Sequence, residues 1–490
     1  MSAIPGYVDG STPAALYELV ARGQKDKFFF TAGGDQEPTE RIFHKDYVST
    51  PGRLSETRTT TPLNAPDFGR MVEFELDTWG DILTAATVLV DLPSWFKSLP
   101  LTANGNMDAP GRSNRLNTFR ADGQTYGYTN GIGYFLFERI QIYQDQFLIQ
   151  DITGDSLFGL NVSKGDYNSY FLEQSAAGIH LTQGQETAAA IAHAATPGRL
   201  RLRLPFPGLS ASAENAEGAG FPLCALRDQK FRIRLKLRAL DDIIESSDGQ
   251  IKPQPWGKTF VATDINGAEI SAVACDRSAL GRPTLLLETT QVYVSAEIQD
   301  ALRSERIEIP YHRYFDQDYN FGPMDYAPLA TNSAAIATRR IEGRHPVERI
   351  VFFFRSQEYV DKNQLIKAAA PNDSGEYYNW IKLIVAGKDR EAEWPATVWH
   401  DVESLVKDSR DSGLGRGYGE ISWAHGPLKG KQPTGAVNFT QADRPTLHVS
   451  LVDIPASTRV NQQICYFQVC CEAWAVYEIA GGRGRLMFAN

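Results

Sequence analysis

The sequence predicts an all-β protein of two successive β-sandwiches or jelly rolls, with long loops and a few short helices. Three observations predict it. Apolar and polar residues alternate in several runs, which puts every second side chain on one face of a strand. Phe (25) and Tyr (20) suit pleated surfaces, while Gly (41) and Pro (26) supply many turns. A chain of 490 residues also exceeds what one core ordinarily fills, so two or three domains are expected.

In chain order, one short helix comes first. Thr12 can cap it, Pro13 suits its first turn and Gly23 ends it, with Leu16, Leu19 and Val20 on one face. Strand texture follows: Glu73-Phe-Glu-Leu76 and Thr87-Val-Leu-Val-Asp-Leu92 are separated by the turn signal Trp79-Gly80-Asp81. Tyr134-Phe-Leu-Phe137 and Arg139-Ile-Gln-Ile-Tyr143 read as strands, then comes a turn at 144–146 and a third run at 147–149. The clearest alternation is Phe231-Arg-Ile-Arg-Leu-Lys-Leu-Arg238, a strand with one face in a core and four cations on the other. Such a cationic face is ordinarily solvated or paired with acidic neighbours, which is the reading taken.

The second half repeats this texture. Residues 285–294 read as a strand, Ser295 as the cap of a short helix over 296–303, and 347–354 and 381–385 as strands. From Phe467 to Ile479 the alternation is clean, with Gln468, Glu472 and Glu478 on the second face among Cys470, Trp474 and Val476. This implies a strand buried on one side and partly covered on the other. Residues 154–197, 241–282, 316–344, 360–377 and 408–431 read as long irregular stretches, which in compact domains usually carry contacts. The expected partition is an arm with a short helix at 1–24, a first barrel at 25–240, a linker at 241–284 and a second barrel at 285–490.

The formal charge of −10 argues against direct nucleic acid binding, which needs clustered Lys and Arg. Five cysteines (Cys224, Cys275, Cys465, Cys470, Cys471) form no Cys-x-x-Cys pair and read as buried reduced thiols. Cys470 and Cys471, being adjacent, should point to opposite faces. No signal peptide is apparent, and no apolar run approaches the ~20 residues of a membrane span. The sequons at Asn161, Asn372 and Asn438 therefore read as chance matches.

No local pattern supports catalysis, a metal or a cofactor. Gly413-Leu-Gly-Arg-Gly-Tyr-Gly419 lacks the Gly-Lys-Ser/Thr of a phosphate loop and reads as a flexible surface loop. Asp316-Gln-Asp-Tyr-Asn320 starts like a calcium loop, but its glycine falls one place late at Gly322 and position twelve is Ala327. The eight histidines (44, 180, 193, 312, 345, 400, 425, 448) show no zinc spacing, and no Gly-x-Ser-x-Gly elbow exists. Trp79, Trp95, Trp380 and Trp474 read as core residues and not as a sugar-stacking platform.

Ordered blocks along the chain resemble the major capsid proteins of nucleocytoplasmic large DNA viruses. Trp79-Gly-Asp-Ile-Leu83 through Val90-Asp-Leu-Pro93, the hairpin from Gly131 to Asp151, Leu204-Pro-Phe206 and Phe221-Pro-Leu-Cys-Ala-Leu226 are similar to successive strands of that family's first barrel. His345-Pro-Val-Glu-Arg-Ile350, Ala386-Gly-Lys-Asp-Arg390, the Pro-x-Gly-x-x-Asn-Phe element ending at Asn438-Phe439 and the Gly-rich end after Tyr477 resemble parts of its second. The chain departs from the family at Pro38-Thr-Glu-Arg-Ile42 and lacks an arginine within Asn438-Phe-Thr-Gln-Ala-Asp443.

The resemblance implies a double jelly roll and a homotrimeric, pseudo-hexagonal capsomer that tiles an icosahedral shell. It implies contacts with neighbouring capsomers and with minor capsid and penton proteins, and an N-terminal arm turned inward, toward minor capsid proteins or an internal viral membrane. A virion location after assembly in the host cytoplasm is also implied. Two alternatives stay open: a carbohydrate-binding or carbohydrate-active β-sandwich protein, and a minor capsid protein of the same virus type.

Overall fold

A computed structural model describes residues 54–93, 118–120, 124, 126–163, 199–209, 220–263, 269–321, 336–368, 377–399, 418–424, 435–442, 444–451 and 465–487. All of them lie in the compact unit Arg53–Asn490.

Eight antiparallel strands build a first barrel: β1 (Leu54–Thr60), β2 (Met71–Glu75), β3 (Ile82–Asp91), β4 (Phe137–Gln144), β5 (Phe147–Ile152), β6 (Arg199–Arg203), β7 (Phe231–Leu237) and β8 (Thr284–Tyr293). They form two sheets, ordered β1-β8-β3-β6 and β2-β7-β4-β5. A second set follows: β9 (Ile307–Phe321), β10 (Ile336–Arg340), β11 (Pro346–Ser356), β12 (Tyr378–Val385), β13 (Lys388–Asp389), β14 (Tyr418–Ser422), β15 (Thr446–Leu451) and β16 (Cys465–Ala480). Their sheets run β9-β16-β11-β14 and β10-β15-β12-β13. Each barrel thus pairs its strands first-eighth-third-sixth and second-seventh-fourth-fifth. That order is the jelly roll, in which eight strands wind as two Greek keys and the sheets close over one core. The fold class expected from the sequence is the fold observed.

Strand β7 shows why the alternation was readable. Phe231, Ile233, Leu235 and Leu237 are at most 1% exposed, each contributing about 1.5–3 kcal/mol of apolar burial. Its cationic face is laced to acidic neighbours, as expected. Lys230 meets Glu75, Arg234 and Arg232 approach Glu73 at 3.4 and 3.9 Å, Lys236 meets Glu138 at 2.6 Å, and Arg238 meets Asp155.

Several expectations are corrected. The first half of the run 134–137 is helical and not a strand: α1 spans Ile132–Phe135 after Gly131, whose φ of 69° turns the chain, and all four helical residues are buried. A short apolar run buried on every side carries no period to separate helix from strand. The stretch 154–197 opens with a helix, α2 (Gly154–Ser163), whose Ser156 N–H donates to the Thr153 hydroxyl at 3.2 Å. Within 316–344, β9 continues to Phe321, so the calcium-like Asp316–Asn320 sequence is extended strand and not a loop. Gly419, placed in a surface loop by sequence, is buried in β14, where a Cβ would lie 2.4 Å from the Phe352 ring.

The linker expected at 241–284 is folded onto the first barrel. Ile244–Ser246 pairs with Tyr126–Tyr128, and Thr259–Thr263 pairs with both Glu269–Ala274 and Thr118–Arg120. Thr284–Tyr293, expected to open the second barrel, is instead the last strand of the first, hydrogen-bonded between β1 and β3 with Leu285 and Leu287 in its core. The connection between barrels is therefore the helix α3 (Ala296–Ser304), which stands where the sequence placed it. Ser295 precedes it, but its side chain makes no capping bond. The expected N-terminal helix at 13–22, Trp95, Asn372 and His44, His180, His193, His400 and His425 lie outside the described residues.

Candidate functional site: the junction between the barrels

Much of the outer face of the second barrel's β9-β16-β11-β14 sheet is covered, with Pro310 and Asp318 left exposed. It packs on β5 and α2 of the first barrel. Successive residues of one strand point to opposite sides, so Ile350, Phe352 and Phe354 fill the second core while Val351 and Phe353 join the first. Cys470 and Cys471 divide in the same way, as their adjacency required. Phe158 of α2 meets Tyr418 edge-on at 5.9 Å, and Gly159 lets the helix approach until a Cβ would sit 3.4 Å from Phe353.

Side-chain amides continue the sheets across the gap. Gln150 on β5 donates to the His312 carbonyl at 3.2 Å and accepts from the Tyr314 N–H at 3.3 Å, the two bonds a neighbouring strand would make. Asn363, with a φ of 57°, donates to the carbonyls of Asp241 and Ile244 at 2.8 and 2.7 Å, while its own carbonyl accepts from Thr129 Oγ1 at 2.7 Å.

Charges are buried on the same face. Arg349 and Glu472, both fully buried, share a hydrogen bond, and Arg349 Nη1 lies 3.5 Å from Glu420. His312 places Nε2 3.0 Å from Glu348 and Nδ1 3.2 Å from Glu472, with its ring 4.1 Å from that of Trp474. Asp155, at the favourable N-terminus of α2, takes Arg238 from its own barrel and Arg355 of the second barrel at 3.6 Å. Asp316 accepts from the hydroxyls of Ser156 and Thr153 at 2.5 and 2.6 Å and from the Thr153 N–H at 3.0 Å. Burial pushes its carboxyl above the usual carboxylate range, and these donors pull it back. Burial likewise pushes the Cys470 thiol up, so it is inert.

The Gly-rich end is a clasp on the first barrel. Strand β16 turns at Gly481-Gly482 (φ 60° and 82°) into β17 (Arg483–Met487), a two-residue hairpin needing positive φ at both positions. Arg227 N–H donates to the Gly482 carbonyl at 3.1 Å, and the Gln229 amide makes paired bonds with Gly484 at 2.6 and 3.2 Å. A Cβ on Gly484 would lie 1.9 Å from the Tyr477 hydroxyl, and Tyr477 packs on Phe221 at 5.3 Å. At the other motif, the Phe439 N–H donates to the His345 carbonyl at 2.9 Å and the ring is buried beside Trp423.

The remaining residues singled out from sequence are dispersed. Asn161 is buried with its amide on the Tyr134 hydroxyl at 3.0 Å, so that sequon is closed in the folded chain. Trp79, Trp380 and Trp474 are half-buried, not core; among the described residues the fully buried tryptophan is Trp399. Among the described residues no group of His, Cys, Asp and Glu could hold a metal, and no helix is long and apolar enough to cross a membrane. An open cleft of about 680 Å³ beside Trp423 and Asn438 has, among the described residues, Glu391 as its one lining carboxylate. Sequence reasoning missed Arg349 and Gln150. An arginine inside the apolar run 347–354 was the available sign that a buried partner must exist.

No protein-family profile matches this sequence, and no curated protein matches it. Solved structures do. The PBCV-1 virus capsid protein superposes with a TM-score of 0.62 at 15% identity, covering 92% of this chain and 100% of that one. The Faustovirus major capsid protein matches at 0.57 and 12% identity over 95% and 97% of the two chains. The mavirus major capsid protein matches at 0.50 and 8% identity over 94% and 95%. Over nearly its whole length, then, this chain has the double jelly-roll fold of viral major capsid proteins.

Proposed function

We propose that this chain is the major capsid protein of a large double-stranded DNA virus, a structural building block and not an enzyme, located in the virion. The carrying observation is the junction, which welds two like barrels into one body through buried charges and amides. A ring of three such bodies presents six similar barrels, the symmetry a pseudo-hexagonal capsomer needs. The paired cations of β7 and the net charge of −10 fit a protein that touches its neighbours and not the genome.

Neighbouring capsomers, minor capsid proteins and penton proteins are the further partners. The arm at 1–24 faces an internal membrane or a minor protein, and assembly takes place in the host cytoplasm. Removing residues 1–24 leaves trimers intact and impairs shell assembly; loss of trimers would refute that placement. The carbohydrate reading requires paired carboxylates in a concave site, and binding to a glycan panel would test it. Light scattering tests the capsomer reading: it requires a species of three times 54.3 kDa, and a folded monomer at all concentrations would refute it.

A further inference from the structure

The cleft beside Trp423 forms where the β12–β13 turn meets the segment between β14 and β15. Strand β12 turns into β13 at Ala386-Gly387, with φ of 53° and 72°, the two positive values a two-residue hairpin needs. Beyond β13 the Arg390 N–H donates to the Leu383 carbonyl at 2.9 Å, which keeps Arg390 and Glu391 against the hairpin. On the other side, a Cβ on Gly435 would lie 2.1 Å from the Trp423 carbonyl, so the chain leading to Asn438 runs directly over Trp423. The Ala442 N–H then donates to the Asn438 carbonyl at 3.0 Å, and this turn brings Gln441 into the lining. The volume of about 680 Å³ falls in the range of small-molecule sites, about 300–1,000 Å³.

The polar groups of the lining are short of partners. Asp389 and Glu393, which flank Arg390 in sequence, both take Lys382, at 3.5 and 3.2 Å. The exposed Arg390 side chain is left without a carboxylate or an acceptor among the described residues, while the half-buried Glu391 is already engaged. Asn438 accepts the Thr440 N–H on Oδ1 at 3.0 Å, and its NH2 group has no acceptor among the described residues. The Gln441 amide is exposed and equally unbonded there. The Trp423 ring is held edge-on to Phe439 at 5.8 Å, and its indole N–H makes no bond among the described residues. The groups left open are thus a guanidinium, an indole N–H and two amides, all of them donors, around hydrocarbon from Val385, Val437 and Ala442.

We propose that this cleft binds an acidic sugar, a uronic acid unit of a glycan. Arg390 takes the carboxylate, whose two oxygens match the guanidinium fork. Asn438 and Gln441 take the ring hydroxyls, which both donate and accept as amides do. The Trp423 ring covers the C–H face of the sugar with an apolar body and a polar tip. An uncharged sugar would leave Arg390 unused, and a simple carboxylate would leave the two amides unused. The site lies within one barrel, so it stands independently of the capsomer reading.

The full-length protein is titrated with methyl β-D-glucuronide and, separately, with the uncharged methyl β-D-glucoside, and binding is read by saturation-transfer NMR and calorimetry. The glucuronide should bind with a Kd on the order of 1 mM, and the glucoside roughly tenfold more weakly, the factor one charge-assisted contact supplies. Arg390→Gln should abolish that preference, and Gln441→Ala should weaken both sugars. Both positions are exposed, so both variants should melt with the wild type, which controls for folding. No saturation transfer to the glucuronide, equal binding of the two sugars, or an Arg390→Gln protein that keeps the preference would overturn the proposal. Displacement of the sugar by a glutamate-rich peptide at a lower concentration would also overturn it, because the cleft would then be reading the acidic side chains of a protein.

Discussion

The same sheet face does opposite things in the two barrels. On the second barrel it carries Arg349, Glu472, Glu420 and Val351 and is sealed against α2. On the first it carries Arg199, Arg201 and Leu286 and reaches solvent. Topology is identical, so side-chain chemistry alone decides which face is permanent. A buried charge pair is costly to desolvate and, once formed, costly to break by removing either member. Exposed arginines pay neither penalty and suit a contact made later, between finished chains.

The sharpest way to break this contrast is at the sealed face. Glu472→Ala leaves Arg349 without its closest carboxylate, and the expected loss is about 3–5 kcal/mol, read from urea unfolding. A loss comparable to a surface substitution would mean the pair does not hold the junction. Next comes the clasp: Gly484→Ala forces Cβ into the Tyr477 hydroxyl and should lower stability by about 1–3 kcal/mol, measured by calorimetry. Gln150→Ala removes two bridging hydrogen bonds between the barrels and should cost about 1–3 kcal/mol. At the solvated end of the scale, Lys236→Gln breaks an exposed pair with Glu138 and should leave the melting temperature unchanged within error.

The junction also has a pH signature. Asp316 is raised above its ordinary value of 3.8 by burial, so the folded chain holds that proton more tightly than the unfolded chain. Its contribution is therefore present at low pH and lost as pH rises through the folded value. Asp316→Asn should flatten the stability-against-pH curve across that window; an unchanged slope would contradict the assignment.

How far the sequence could be read follows the same division between local and distant partners. Strand β7 was legible because its alternation is a property of eight consecutive residues. Helices α1 and α2 were not, because burial on several sides erases the period. The domain boundary was misplaced because β8 has the texture of any strand, and only its pairing with β1 and β3 assigns it to the first barrel. The Gly-rich end was noticed as a motif, but its use as a clasp depends on Arg227 and Gln229, more than 250 residues away. Arg349 and Glu472 are 123 residues apart, and nothing local joins them.

The most direct test of the whole account is a cryo-EM reconstruction of the purified oligomer. The account predicts three chains in a closed ring of six barrels. The Arg349–Glu472 junction should be intact within each chain. A ring in which the two barrels of one chain are separated, or a particle with other than six barrels, would contradict it.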